Sequence, residues 1–185
     1  MILSKSEIEK EMLNRNIILT ELFEDEPLEN CNDHFKQIAE CSIDLHLGNV
    51  ILKAKKETID FKKPMEFERI VTRYGESFIL QPNNFYLLCT KEIVFTTKFA
   101  QRLMLKSSIA RNGIMHTLSG LVEPCFNDVI TLEVTVTNPT IIYTGMPFVQ
   151  VVIEEIKGEI TEYNGQYVGT PTFEPCPSKI YKKLC

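Results

Sequence analysis

Residues 129–153 read VITLEVTVTNPTIIYTGMPFVQVVI, and this stretch decides the fold class. Apolar or β-branched runs at Val129–Val136, Ile141–Tyr143 and Phe148–Ile153 are divided by Asn138-Pro139 and Thr144-Gly145. Dipeptides of that kind mark turns, and β-branched side chains suit a pleated surface. In the first run, Thr131, Glu133, Thr135 and Thr137 fall on one face and Leu132, Val134 and Val136 on the other. The reason is that successive strand side chains point to opposite sides. The apolar face is read as core. Glu133 is then either a solvated strand carboxylate or one aimed into a cleft.

The same grammar runs outward in both directions. Ser42-Ile43-Asp44-Leu45-His46-Leu47 alternates strictly, and Gly48-Asn49 turns the chain. Short runs recur at Ile17–Leu19, Val50–Leu52, Ile70–Thr72, Phe78–Leu80, Phe85–Cys89 and Ile93–Phe95, with turn signals at Tyr74-Gly75 and Gln81-Pro82-Asn83-Asn84. Many short strands at such spacing predict a mainly β sandwich or barrel. Ser4-Lys5-Ser6-Glu7 fits a capping box, and Ile8 and Met12 follow one turn apart, so residues 1–16 are expected to carry an N-terminal helix through about Asn14. A second short helix is expected near 107–113, capped by Ser107 or Ser108 and ended by Gly113. Glu24–Asn32 is acidic and reads as a surface loop. From 158 to 185 the chain becomes an extended, aromatic, Pro-rich arm that is expected to pack on a ligand or a neighbouring subunit.

Length and composition bound the function. A chain of 185 residues predicts a single domain with a sizeable core. Lys and Arg number 20 against 25 Asp and Glu, a net charge of −5, which disfavours coating a nucleic-acid duplex. Apolar residues at 44% and charged residues at 24% are ordinary for a globular fold. The opening segment lacks the features of a signal peptide, and no apolar run approaches a membrane span. The 6 cysteines show no C-x-x-C spacing. A soluble, cytoplasmic protein with reduced thiols is expected, in a host cytoplasm if virus-encoded.

The chemistry-bearing residues concentrate between Lys106 and Glu133. Pro124-Cys125 and Pro175-Cys176 lack the second Cys of a zinc deaminase motif, and His34, His46 and His116 lack the partners such a site needs. No P-loop, dinucleotide fingerprint or nucleophile elbow is present. Lys106, Ser107, Ser108 and Arg111 either form a capped helix with an exposed Arg or offer N–H groups, hydroxyls and positive charge to one anion. Glu123 reads as a turn acid and His116 as a packed loop histidine. Tyr163 and Tyr167 either stack on a base or pack on the sheet.

Taken in order, these pieces resemble the dCTP deaminase family, including its bifunctional deaminase–dUTPase members, within the trimeric dUTPase-like superfamily. The resemblance rests on Met1-Ile2-Leu3-Ser4, Cys41–Gly48, Phe78–Pro82, Leu88–Glu92, Lys106–Arg111, His116–Gly120 leading into Leu121–Pro124, Thr131-Leu132-Glu133, Gly145-Met146 followed by Gln150, and the Tyr163-x-Gly165-x-Tyr167 arm ending at Ser178-Lys179. It implies a distorted β-barrel or jelly-roll of the dUTPase-like type spanning 1–185. The arm at 158–185 would close over the active site.

The resemblance also implies zinc-independent deamination of dCTP to dUTP and ammonia. Glu133 would be the general acid/base, and Ser107, Arg111 and the Ser119 carbonyl would hold the attacking water. Lys106, Ser108, His116, Glu123, Gln150, Tyr163, Gln166, Tyr167, Thr170 and Lys179 would bind nucleotide. Mg²⁺ would be held through triphosphate oxygens. A homotrimer with shared sites is implied, and dTTP is expected as a feedback inhibitor. Alternatives are a bifunctional enzyme yielding dUMP and pyrophosphate, a dUTPase alone, or a non-catalytic nucleotide-binding or regulatory relative. The sequence departs from the pattern at Glu123 in place of Asp, Cys125 and Asp128 in place of Gly, and Lys106 in place of Arg. Gln166 and Thr170 stand where a Lys and a Gln are common. The turn through Cys125 and Asp128 is expected to take a different path if those positions need a positive φ.

Overall fold

Thr131–Val136 is a strand, and its burial alternates as its pattern requires: Leu132 and Val134 are 0% exposed and Val136 4%, while Thr131, Glu133 and Thr135 are half-buried. It belongs to a computed structural model that describes residues 1–21, 35–55, 58–116, 119–167 and 171–184. In chain order the strands are β1 (Ile17–Glu21), β2 (Ile43–His46), β3 (Val50–Ala54), β4 (Phe67–Val71), β5 (Ser77–Leu80), β6 (Tyr86–Cys89), β7 (Glu92–Thr96), β8 (Phe99–Leu105), β9 (Ile114–His116), β10 (Leu121–Val122), β11 (Thr131–Val136), β12 (Thr140–Tyr143) and β13 (Pro147–Glu155). Helices α1 (Lys5–Leu13), α2 (Ser107–Ala110) and α3 (Tyr181–Leu184) complete the named elements.

The strands form a five-stranded sheet β4-β3-β6-β11-β9, a four-stranded sheet β10-β8-β13-β2, and the pairs β1-β7 and β12-β5. One apolar core lies among them, built from Leu45, Leu47, Ile51, Leu80, Leu88, Leu132, Phe148 and Val149. β13 is buried almost throughout because β2 and β8 flank it, and its register slips between Pro147 and Val149. The mainly β, distorted barrel or jelly-roll expectation holds in this arrangement. No helix among the described residues is long and apolar enough to cross a membrane.

Two local expectations are corrected. Ser4 makes no side-chain cap to α1; its Oγ lies 3.1 Å from that of Ser6, and Glu7 pairs with Lys10 instead. The second helix is shorter than 107–113, and its N-cap is Lys106, which makes no side-chain cap bond. Gly113 does end the turn, with a φ of 79° that a Cβ would oppose. The strand β8 was not foreseen, since no run over Phe99–Leu105 stands out by hydrophobicity. Its inward face includes Gln101, which is fully buried and donates from Nε2 to the Val94 carbonyl at 2.8 Å, and Met104 points outward at 46% exposure. A polar residue inside and an apolar one outside hide the alternation. The acidic loop at Glu24–Asn32 lies outside the described residues apart from its context in the sequence.

Candidate active site

The outward face of β11 opens onto a cavity of about 590 Å³. Strand pairing places Leu87 of β6 opposite Glu133, and Leu52 of β3 opposite Leu87. Phe67, Phe85, Leu87 and Phe126 give the cavity an apolar lining, into which Glu133, Glu123 and Ser119 bring polar groups. The arm contributes Tyr163, Tyr167, Ser178 and Lys179. A mostly apolar hollow with a few convergent polar groups is the usual form of a small-molecule site.

Glu133 is the cleft-facing alternative: it lines the cavity, its side chain is 23% exposed, and it reaches His116 of β9, whose side chain is 5% exposed. Glu133 Oε2 and His116 Nε2 stand 3.2 Å apart, yet neither atom makes an aligned hydrogen bond. A buried polar atom without a partner costs about 1–3 kcal/mol. Native chains keep few such atoms, and those kept call for a reason such as catalysis. His116 thus acts on Glu133 rather than lining the cavity.

The anion-binding candidates are placed elsewhere. Ser107 and Ser108 on α2, and Arg111 at its C-cap, are exposed and do not line the cavity. Asn112 Nδ2 donates to the Ser108 carbonyl at 2.7 Å, which steadies the end of α2. The Lys106 ammonium is held by Asp44 of β2 in an ion pair, so its charge is already met within the chain. Gln150 lies on β13 between Asp44 and Met104 in register, also away from the cavity. Gln166 offers its carbonyl to Lys179 Nζ at 3.1 Å, while Lys179 also sits 5.2 Å from the centre of the Tyr167 ring. Thr170 lies outside the described residues.

The turn before β11 uses a positive φ at one of the two positions where the family pattern has glycine. Cys125 itself adopts a φ of 63°, and its N–H donates to the Thr96 carbonyl at 2.7 Å. Asp128 does not need a positive φ; its carboxylate is used to bond the arm. Sequence reasoning missed Asp128 as well as the apolar lining. Alternation puts Leu87 of β6 and the preceding Phe85 on one face, but only the β6–β11 register brings that face beside Glu133.

Among the described residues, no group of three or more His, Cys, Asp or Glu is placed to hold a metal ion. Cys41, Cys89, Cys125 and Cys176 are free thiols. Burial pushes the Cys89 thiol up to about 12.

A family model described as dCTP deaminase-like matches residues 2–156. A protein of Clostridium acetobutylicum named "dCTP deaminase, dUMP-forming" is 31% identical over 184 residues, which is 98% of each chain. One of the same name from Hathewaya histolytica is 32% identical over 177 residues, 95% of each. Among solved structures, a 2'-deoxycytidine 5'-triphosphate deaminase from Agrobacterium tumefaciens shares the fold at a TM-score of 0.59 and 15% identity, over 83% of this chain and 48% of that one. The present chain therefore spans about half the length of that structure, whereas it matches the clostridial sequences nearly end to end. Motifs, fold and full-length similarity converge, and the chain belongs to the dCTP deaminase-like family.

Proposed function

We propose that the chain deaminates dCTP hydrolytically and carries the nucleotide on to dUMP and pyrophosphate. The observation that carries the first step is Glu133: a carboxylate in an apolar cavity with one oxygen left unbonded beside His116. Replacing the C4 amine with oxygen requires a water to lose a proton while N3 and the departing ammonia gain protons. One carboxylate that alternates between acid and base moves all of these. The second step is supported by the name shared by the clostridial relatives, and by a second carboxylate, Glu123, in the same cavity. Glu123 would orient water towards the phosphate chain. The altered side-chain length at Glu123 favours a second reading, in which turnover stops at dUTP and ammonia.

Ser107 and Arg111 enter this scheme from a second copy of the chain. They are exposed and lie off the cavity of their own chain, where the family resemblance requires them beside Glu133. A homotrimer would bring them in and would cover exposed apolar side chains such as Ile79, Ile141 and Tyr143, which are 48%, 57% and 52% exposed. Ile79 and Ile141 face each other in register on β5 and β12, so they form one patch. Ser119 would add its carbonyl to the water site, and Tyr163, Tyr167 and Lys179 would meet the sugar and phosphates. Mg²⁺ would travel with the triphosphate and neutralise its oxygens.

A panel of cytosine and uracil nucleotides with Mg²⁺, resolved by chromatography with ammonia measured in parallel, tests the proposal. dUMP, pyrophosphate and ammonia from dCTP are expected. dUTP and ammonia alone would select the second reading, and unchanged dCTP across pH and metal conditions would remove both.

A further inference from the structure

The arm is tied to its own subunit at a place where the family pattern offers nothing to tie it. Asp128 stands in a glycine position, just before β11, and its carboxylate accepts from the arm on both oxygens. Oδ1 accepts from the N–H groups of Thr172 and Phe173 at 3.1 Å each, and from Val129 at 2.8 Å. Oδ2 accepts from the Thr172 N–H at 3.1 Å and the Thr172 hydroxyl at 3.0 Å. Hydrogen bonds to an ionised group are the stronger kind. A glycine here would leave both amides without these partners.

The neighbouring contacts align with this anchor. Phe173 adopts a φ of 58°, strained for an aromatic residue, while its ring packs on Cys89, Ile93 and Val129. Arg69 of β4 grips Glu174 through two guanidinium nitrogens. The Cys176 N–H donates to Thr131 Oγ1 at 2.9 Å, beside Glu133 on β11. Beyond this point the chain delivers Lys179 to the cavity, and Lys179 bonds back to Gln166 and covers Tyr167. The part of the arm that lines the cavity is thus suspended from Asp128 and its flanking contacts.

We infer that Asp128 is a positioning residue that latches the arm across the cavity before nucleotide arrives, so that Tyr167 and Lys179 are preorganised for binding. The inference rests on the reading that a nucleotide occupies this cavity. When the competent arrangement is only partly populated, apparent affinity falls by that fraction. The latch therefore acts on nucleotide affinity and leaves the proton chemistry at Glu133 alone.

Hydrogen exchange of the full chain without nucleotide, followed over the segment containing Thr172 and Phe173, tests the latch independently of turnover. Slow exchange is expected in the wild type and fast exchange in Asp128→Ala. Asp128→Asn keeps the Oδ1 acceptor and should fall between the two. With dCTP, Asp128→Ala should show a KM raised about tenfold, equivalent to about 1.4 kcal/mol, with kcat within about twofold. Saturating nucleotide should restore slow exchange to its arm. Wild-type arm amides that exchange like an unstructured peptide would overturn the inference, as would an Asp128→Ala arm no faster than wild type or a fall in kcat at unchanged KM. If Asp128→Ala loses protection across β11 as well, Asp128→Asn carries the comparison. Should no nucleotide be turned over, the exchange result still decides the latch while the functional proposal fails alone.

Discussion

Replacing Glu133 by Gln separates the chemistry from the fold. The substitution keeps shape and removes the group that can take up and release a proton. General acid–base catalysis is worth about 10²- to 10⁴-fold. In the proposed reaction several proton transfers pass through this one carboxylate, so the upper end is expected, about 10⁴-fold or about 5.4 kcal/mol in the barrier. Stability should barely respond, in contrast to such a large catalytic effect. Glu133 Oε2 makes no aligned hydrogen bond in the fold, so an amide in its place forfeits none. Unfolding free energy is expected to change by less than about 1 kcal/mol, the scale of one net hydrogen bond. Ammonia release from dCTP gives the first quantity and urea unfolding the second. The reasoning is refuted if Glu133→Gln keeps more than about a tenth of wild-type turnover. It is equally refuted if activity is lost only together with a destabilisation above about 2 kcal/mol, because the carboxylate would then be structural.

Three further outcomes are expected. Mixing Glu133→Gln chains with Arg111→Ala chains, after dissociation and reassembly, should restore part of the activity that each variant lacks. Absence of any recovery in verified mixed oligomers would place both residues in one chain's site. The Arg69 guanidinium bonded to Glu174 holds that carboxyl below its ordinary value of 4.5. Its contribution to arm docking is therefore complete above that value and lost as pH falls through the lowered one. Arm exchange, corrected for intrinsic rates, should accelerate on acidification in the wild type, and Arg69→Ala should remove the Glu174 part of that dependence. An unchanged pH profile in Arg69→Ala would count against the clamp. Finally, the Cys89 thiol, pushed up to about 12 by burial, should resist alkylation at pH 8 in the folded chain while exposed Cys41 reacts. Equal labelling rates would contradict the burial of Cys89.

Much of the molecule was legible in short windows of sequence, because strand alternation and turn chemistry are local. Leu132, Val134 and Val136 announced their face, and Asn138-Pro139 and Thr144-Gly145 announced the breaks around β12. The ordered motifs from Cys41–Gly48 to Thr131-Leu132-Glu133 were enough to indicate the family. β8 was not legible, because Gln101 is accepted into the core only where the Val94 carbonyl waits for it. Capping at Ser4 was legible but not realised, since Glu7 finds Lys10 one turn away.

The amino-acid sequence by itself thus determined which residues can sit inside and where strands break, and its ordered motifs singled out Glu133 as the carboxylate to test. Only the tertiary structure decided what surrounds that carboxylate. Alternation assigns a side chain to a face but names no partner for the strand. The choice of β6 and β9 as neighbours of β11 sets Leu87 opposite Glu133 and brings His116 within reach. The same long-range closure carries Thr172 and Phe173 back to Asp128 across more than forty residues of chain. It leaves Ser107 and Arg111 exposed and away from the cavity of their own chain. Such contacts arise because the whole core must be buried at once, and no local window of sequence contains that constraint.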